Sequence, residues 1–134
     1  MIYLACPYSH EDHEVMIKRF KAACFVAGNL MRQNTSVYSP ISHSHSICDF
    51  GGIGYKDPVW YGYDLWYVDR CEDMMVVDID GWKESKGVAL EIAHYNNRGH
   101  NLANRIQYAS DFIHILQCER QVIGDPKLFW DLFK

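Results

Sequence analysis

Apolar and polar positions alternate along the chain in two rhythms, one of strands and one of helices. Residues 2–5 are apolar without a break and are closed by Pro7, the pattern of a strand buried on both faces and ending in a loop. Over residues 10–32, Met16, Phe20, Ala23, Ala27, Leu30 and Met31 recur largely at spacings of three and four. Glu11, Glu14, Lys18, Lys21 and Arg32 lie off that stripe, so one long amphipathic helix is expected. Asn34 is a suitable stop, and residues 36–39 ahead of Pro40 read as a second strand. Residues 40–58, rich in Ser, His and Gly between Pro40 and Pro58, follow neither rhythm and are expected to form a long loop. A helix is expected over 60–72, a strand over 74–78 with Asp78 and Asp80 at its carboxyl end, and a helix over 85–97 stopped by Gly99. The remainder is expected to give a helix over 102–117, a strand over 121–123 and a terminal helix over 126–133.

Strands alternating with helices predict an α/β fold, a parallel sheet covered by helices on both faces, with ligands outside the carboxyl ends of its strands. A length of 134 residues fits one domain spanning residues 1–134. Apolar runs such as 74–77 are far too short to span a membrane, and the first residues lack the pattern of a secretory signal, so a cytoplasmic protein without membrane contact is expected. Five scattered cysteines, an odd number with no C-x-x-C pair, argue against a disulfide framework or a cysteine zinc site and read as free, mostly buried thiols. With 13 Lys and Arg against 17 Asp and Glu, the net charge of -4 has the wrong sign for coating a nucleic-acid polymer. An aromatic share of 14%, partly in polar stretches, suggests a site that stacks flat groups, with Tyr8, Trp60 and Trp82 as candidates.

Glu91 is the first candidate for chemistry. On a helix it lies about 60° from Val88, on the side shared by Val88, Ile92 and Tyr95. It is either a buried carboxylate needing a partner or a role, or a stripe-edge residue reaching solvent. Glu91 and His94 form a Glu-x-x-His pair, but the partner carboxylate helices of a di-iron site are missing. Ser85-Lys86-Gly87 suits a helix cap, and the same helix start would suit an anion. His43 and His45, near Cys48 and Asp49, lack the second ligand pair of structural zinc and are expected to line a pocket; no metal and no cofactor are expected. Asp64, set among aromatics, is either a polar cap or a general acid or base.

The opening I-Y-L-A-C-P is similar to the I-Y-L-A-G-P opening of nucleoside 2-deoxyribosyltransferases, and residues 78–93 resemble their acidic strand followed by small-Gly-x-x-x-Glu-x-x-x-Ala. Through S-P-I-S-H-S-H, Y-D-L and D-G-W-K-E-S-K-G-V-A-L-E the chain resembles a bacteriophage-associated family of unknown function in that superfamily. The resemblance covers residues 1–98, with Cys6 in place of the usual glycine. It implies a small Rossmann-like (flavodoxin-like) domain that breaks the N-glycosidic bond of a nucleoside or nucleotide. In that scheme Glu91 is the nucleophile, Tyr3 orients it and Asp64 is the general acid. Ser85 stands where the transferases carry Asp for a free 5′-hydroxyl and where the related monophosphate N-glycosidases carry Ser, which implies a 5′-phosphate. Pro7, Tyr8, Ser9, His43, His45, Trp82, Lys86 and Gly87 are the expected substrate-binding residues, and a homodimer or larger oligomer is implied. The alternatives are a non-catalytic nucleotide-binding or sensing module and a metal hydrolase built on His43 and His45.

Overall fold

The computed structural model describes residues 1–98 and 106–132. Among these residues, four strands and six helices follow in the order β1 (Ile2–Ala5), α1 (His13–Arg32), β2 (Val37–Tyr38), α2 (Pro40–Gly51), α3 (Val59–Arg70), β3 (Asp73–Val76), α4 (Lys86–Asn96), β4 (Ile106–Tyr108), α5 (Ala109–Cys118) and α6 (Pro126–Asp131). All strand pairs are parallel and the sheet order is β2-β1-β3-β4. This is the small Rossmann-like α/β fold that the alternating pattern predicts.

Alternation along the strands divides the core. Ile2 and Leu4 of β1 join Met75 and Val77 under Ala23 and Val26 of α1, Ile113 of α5 and Phe129 of α6. Tyr3 and Ala5 point the other way, with Met74 and Val76, against Val68 of α3 and Val88 and Tyr95 of α4. Both faces are therefore covered, which is why the strands read as continuous apolar runs. Asp12 caps α1 by accepting from the Glu14 amide at 2.9 Å, and Asn34 leaves the helix with φ 58°. Met31, counted with the apolar stripe, is 60% exposed.

Three expectations are corrected. Residues 40–58 are not one loop, because 40–51 form α2. Its start uses Pro40 in the first turn and its end uses Gly52 at φ 76°, and Ser44 and His45 are buried in its middle. No strand forms over 121–123, because the Asn29 side chain satisfies the backbone there, accepting from the Ile123 amide at 2.8 Å and donating to its carbonyl at 2.9 Å. The helix expected over 102–117 is divided: Ile106–Tyr108 pair with β3, and α5 starts only where Asp78 accepts from the Ser110 amide at 2.9 Å. Gly99 as a helix stop, the first residues of the 102–117 helix and Phe133 lie outside the described residues.

All five cysteines are free, but only Cys6 and Cys71 are buried, fewer than expected. Among the described residues no helix is long and apolar enough to cross a membrane. The chain leaves β1 for β2 on one side and returns to β3 on the other, so the loops after β1 and β3 diverge. A crevice opens there, at the carboxyl edge of the sheet.

Candidate active site

The crevice is a cleft of about 570 Å³, walled by the β1–α1 loop, α2, the 52–58 segment, α3 and the start of α4. Tyr3 lies beneath it, behind Glu91. As the second residue of β1 it faces α4 and is fully buried, and its hydroxyl donates to Oε2 of Glu91. Glu91 is itself only 8% exposed and lies at the cleft wall. The open alternative of a Glu at the solvent edge is thereby excluded.

Asp64, on the inner side of α3, lines the same cleft. Burial pushes its carboxyl up to about 7. Burial also raises Glu91, to about 8; the Tyr3 hydrogen bond opposes that rise and the Asp64 charge adds to it. The two carboxyls thus hold one proton between them near neutral pH, and the Tyr3 hydrogen bond lowers the cost of the ionised form of Glu91 without bringing it below Asp64. Tyr3 is raised well above the ordinary phenol range, by burial first and then by Glu91, so it remains a donor.

Ser85 caps α4, its hydroxyl oxygen accepting from the Val88 amide at 3.3 Å, and with Lys86 and Gly87 it lines the cleft. A Cβ at Gly87 would meet only Ser85 Oγ, at 3.9 Å. Internal packing does not demand a glycine there, and the space it leaves faces the cleft. The loops on either side are tied by Arg19 of α1, which donates to the Ser9 carbonyl at 2.9 Å and packs against Gly81. Gly81, at φ 89°, holds a backbone conformation that strains any other residue, and a side chain there would displace that guanidinium.

The cleft gathers Glu91, Asp64, Ser85, Lys86, Gly87, Tyr8 and Ser9 of the expected residues. Five others are not at its wall: Tyr3, fully buried beneath Glu91, and four more. His43 is exposed and its ring leans on Tyr38 at 5.9 Å, because two positions along α2 point it about 200° from His45. His45 is buried and meets the cleft only through Tyr8. Trp82, in the turn after β3, packs on Tyr108 at 5.6 Å, and Pro7 is buried while its neighbours Cys6 and Tyr8 line the wall. Of the expected stacking rings, Tyr8 and Trp60 line the cleft and Trp82 does not.

Tyr55, Lys56 and Ile41, which nothing singled out in sequence, also line it, as does Cys48, noted there only beside the two histidines. Reading 40–51 as a helix from Pro40 and Gly52 would have placed Ile41, Ser44 and Cys48 on one face. Glu91 and His94 part company: His94 lies 2.8 Å from Asp69 of α3 while Glu91 accepts from Tyr3. Among the described residues no three His, Cys, Asp or Glu side chains gather as a metal-ligand group.

A family model described as a domain of unknown function (DUF1937) matches residues 1–105. No curated protein matches the chain. The matched span contains Tyr3, Asp64, Ser85 and Glu91 and ends just before β4.

Proposed function

The chain belongs to the DUF1937 family, and from the cleft within the matched span we propose that it cleaves the N-glycosidic bond of a nucleoside 5′-monophosphate, with Glu91 as nucleophile. The observation that carries this is the buried Glu91 carboxyl, held by the Tyr3 hydroxyl, in one cleft with the raised carboxyl of Asp64. Two carboxyl groups of which one is ionised and one protonated are what a retaining glycosidic cleavage needs.

Glu91 attacks C1′ through an oxocarbenium-like transition state, and the C1′–N bond electrons leave with the base, which takes its proton from Asp64. A glycosyl ester on Glu91 results. Asp64, now ionised, draws a proton from water or aligns a second base, and the attack at C1′ returns Glu91 as a carboxylate. Tyr3 acts by placing and charging Glu91 rather than by touching substrate. Ser85 and the start of α4 offer hydroxyl, amide and Lys86 donors to the 5′-phosphate. The test is incubation with nucleosides and their monophosphates, with free base separated by chromatography. Release from at least one monophosphate supports the proposal, and binding without release points to the sensing module instead.

The active form carries one proton on the pair, which fixes the sign of the pH dependence. Activity should fall in acid as the pair takes up a second proton and in base as it loses its only one. A bell with both limbs between about pH 6 and 9 is expected in kcat/KM, following the raised values of about 7 and about 8. A limb at the ordinary carboxylate position near pH 4 would contradict it.

Self-association as a homodimer is part of the proposal. α3, which carries Asp64 inward, exposes Val59, Tyr63 and Trp66 at 49%, 50% and 50% on its outer side. Such an apolar face suits a second copy. Light scattering should give twice the chain mass at micromolar concentration, and a monomer that keeps full activity on dilution would refute it. The five unpaired thiols support a reducing compartment, the cytoplasm, as the place of action.

A further inference from the structure

A second line of titratable groups leads away from the cleft and plays no part in the chemistry above. The Tyr8 hydroxyl lies 2.6 Å from Nδ1 of His45, and Nε2 of His45 lies 3.5 Å from the Asp49 carboxylate, one turn further along α2. His45 is 8% exposed, its ring stacked on Phe20 of α1 at 4.0 Å and 17° and set edge-on to Tyr8 at 83°. The ring is therefore held in place from three sides.

For a neutral imidazole, the Asp49 carboxylate at 3.5 Å, which only accepts, favours hydrogen on the nitrogen facing it and a lone pair on Nδ1. Tyr8 is raised to about 12, by burial first and then by Cys48, Asp49 and Tyr55, so it keeps its proton and gives it to Nδ1. A phenol has one hydrogen. With that hydrogen committed, the Tyr8 oxygen meets the cleft it lines with lone pairs alone.

We propose that Asp49 and His45 make the Tyr8 oxygen a fixed hydrogen-bond acceptor in the cleft, and that it selects a base whose edge presents an N–H, as an exocyclic amino group does. The acceptor assignment stands on the Tyr8–His45–Asp49 geometry alone, whereas the choice of base rests on the nucleotide reading above. In that reading Glu91 and Ser85 of α4 take the sugar and phosphate, which leaves Tyr8 of the β1–α1 loop for the base. Asp49 and His45 are positioning residues, and Tyr8 is the group that meets the ligand. A site built to accept from an N–H disfavours a ligand lacking it, because the acceptor is then desolvated without a partner.

Two measurements test this. Long-range proton–nitrogen NMR of the full chain at pH 8 should find His45 in the tautomer with hydrogen on Nε2; hydrogen on Nδ1 would overturn the acceptor assignment whether or not any nucleotide binds. Calorimetry on Glu91→Gln protein should then compare adenosine 5′-monophosphate with purine riboside 5′-monophosphate, and cytidine 5′-monophosphate with its 2-pyrimidinone counterpart. Each pair differs only by the amino group. In at least one pair the amino compound should bind about tenfold more tightly, and adding Tyr8→Phe should bring the ratio close to one while the analogue without the amino group still binds. Ratios near one with Tyr8 present, or a ratio unchanged by Tyr8→Phe, would overturn the selection. If none of the four nucleotides binds, the nucleotide reading fails and the base selection with it, while the tautomer still decides the role of the Tyr8 oxygen.

Discussion

Glu91→Gln should lower base release by at least about a thousandfold while leaving the fold intact, since the amide keeps the volume and the hydrogen bond from Tyr3 but cannot form the glycosyl ester. Retention of more than about a tenth of the activity would remove Glu91 from the nucleophile role. The same variant has a stability signature of opposite sign. Glu91 is raised to about 8, so the native state holds its proton more tightly than the unfolded chain. Its stabilising effect is complete below the ordinary carboxylate range and is lost as pH rises through the native value. Glu91→Gln removes that loss, and thermal unfolding should show a higher Tm than wild type at pH 8, with the gap closing by pH 5. A variant that is inactive and less stable at both pH values would mean that the amide disrupted the site.

Ser85→Asp should cut the ratio of kcat/KM for a monophosphate over its nucleoside by about a hundredfold or more. A carboxylate near a phosphate dianion meets several kcal/mol of repulsion at the intermediate dielectric of a protein surface. Asp caps a helix as well as Ser does, so the α4 start, where Ser85 accepts from Val88, should survive the change. Loss confined to the charged substrate is therefore electrostatic and not a failure of folding. Ser85→Ala should be milder, about tenfold, from one lost hydrogen bond to a charged group. A ratio that begins near one, or that Ser85→Asp leaves unchanged, would reduce Ser85 to a helix cap.

Periodicity carried the parallel sheet, α1 and α4, because long stripes and uninterrupted apolar strands leave few alternatives. It failed where short polar segments are ordered by tertiary partners. α2 has a Ser-His-Ser-His middle that suggests a loop, yet its buried His45 stacks on Phe20 of α1 and bonds Tyr8, which overrides weak local preference. β4 is three residues whose place is decided by pairing with Met74–Val76 across the sheet, a contact no local pattern encodes. The same division holds at the site. Ser85 was legible because a capping pattern places it, while the helical wheel left Glu91 open between the core and the solvent edge. The Tyr3 partnership was available only through family resemblance, since 88 positions separate the two residues. His43, Trp82 and Pro7 were expected in the pocket for their residue types and sequence neighbours, but their elements turn them elsewhere.

The stereochemistry of the sugar product tests the central claim most directly. Proton NMR of the products formed in the first minutes from a nucleoside 5′-monophosphate in water containing methanol distinguishes the two anomers of the methyl glycoside 5′-phosphate. Attack by Glu91 followed by a second displacement predicts the anomer of the starting nucleotide, absent with Glu91→Gln. The inverted anomer would mean a single displacement at C1′ and would contradict Glu91 as the nucleophile.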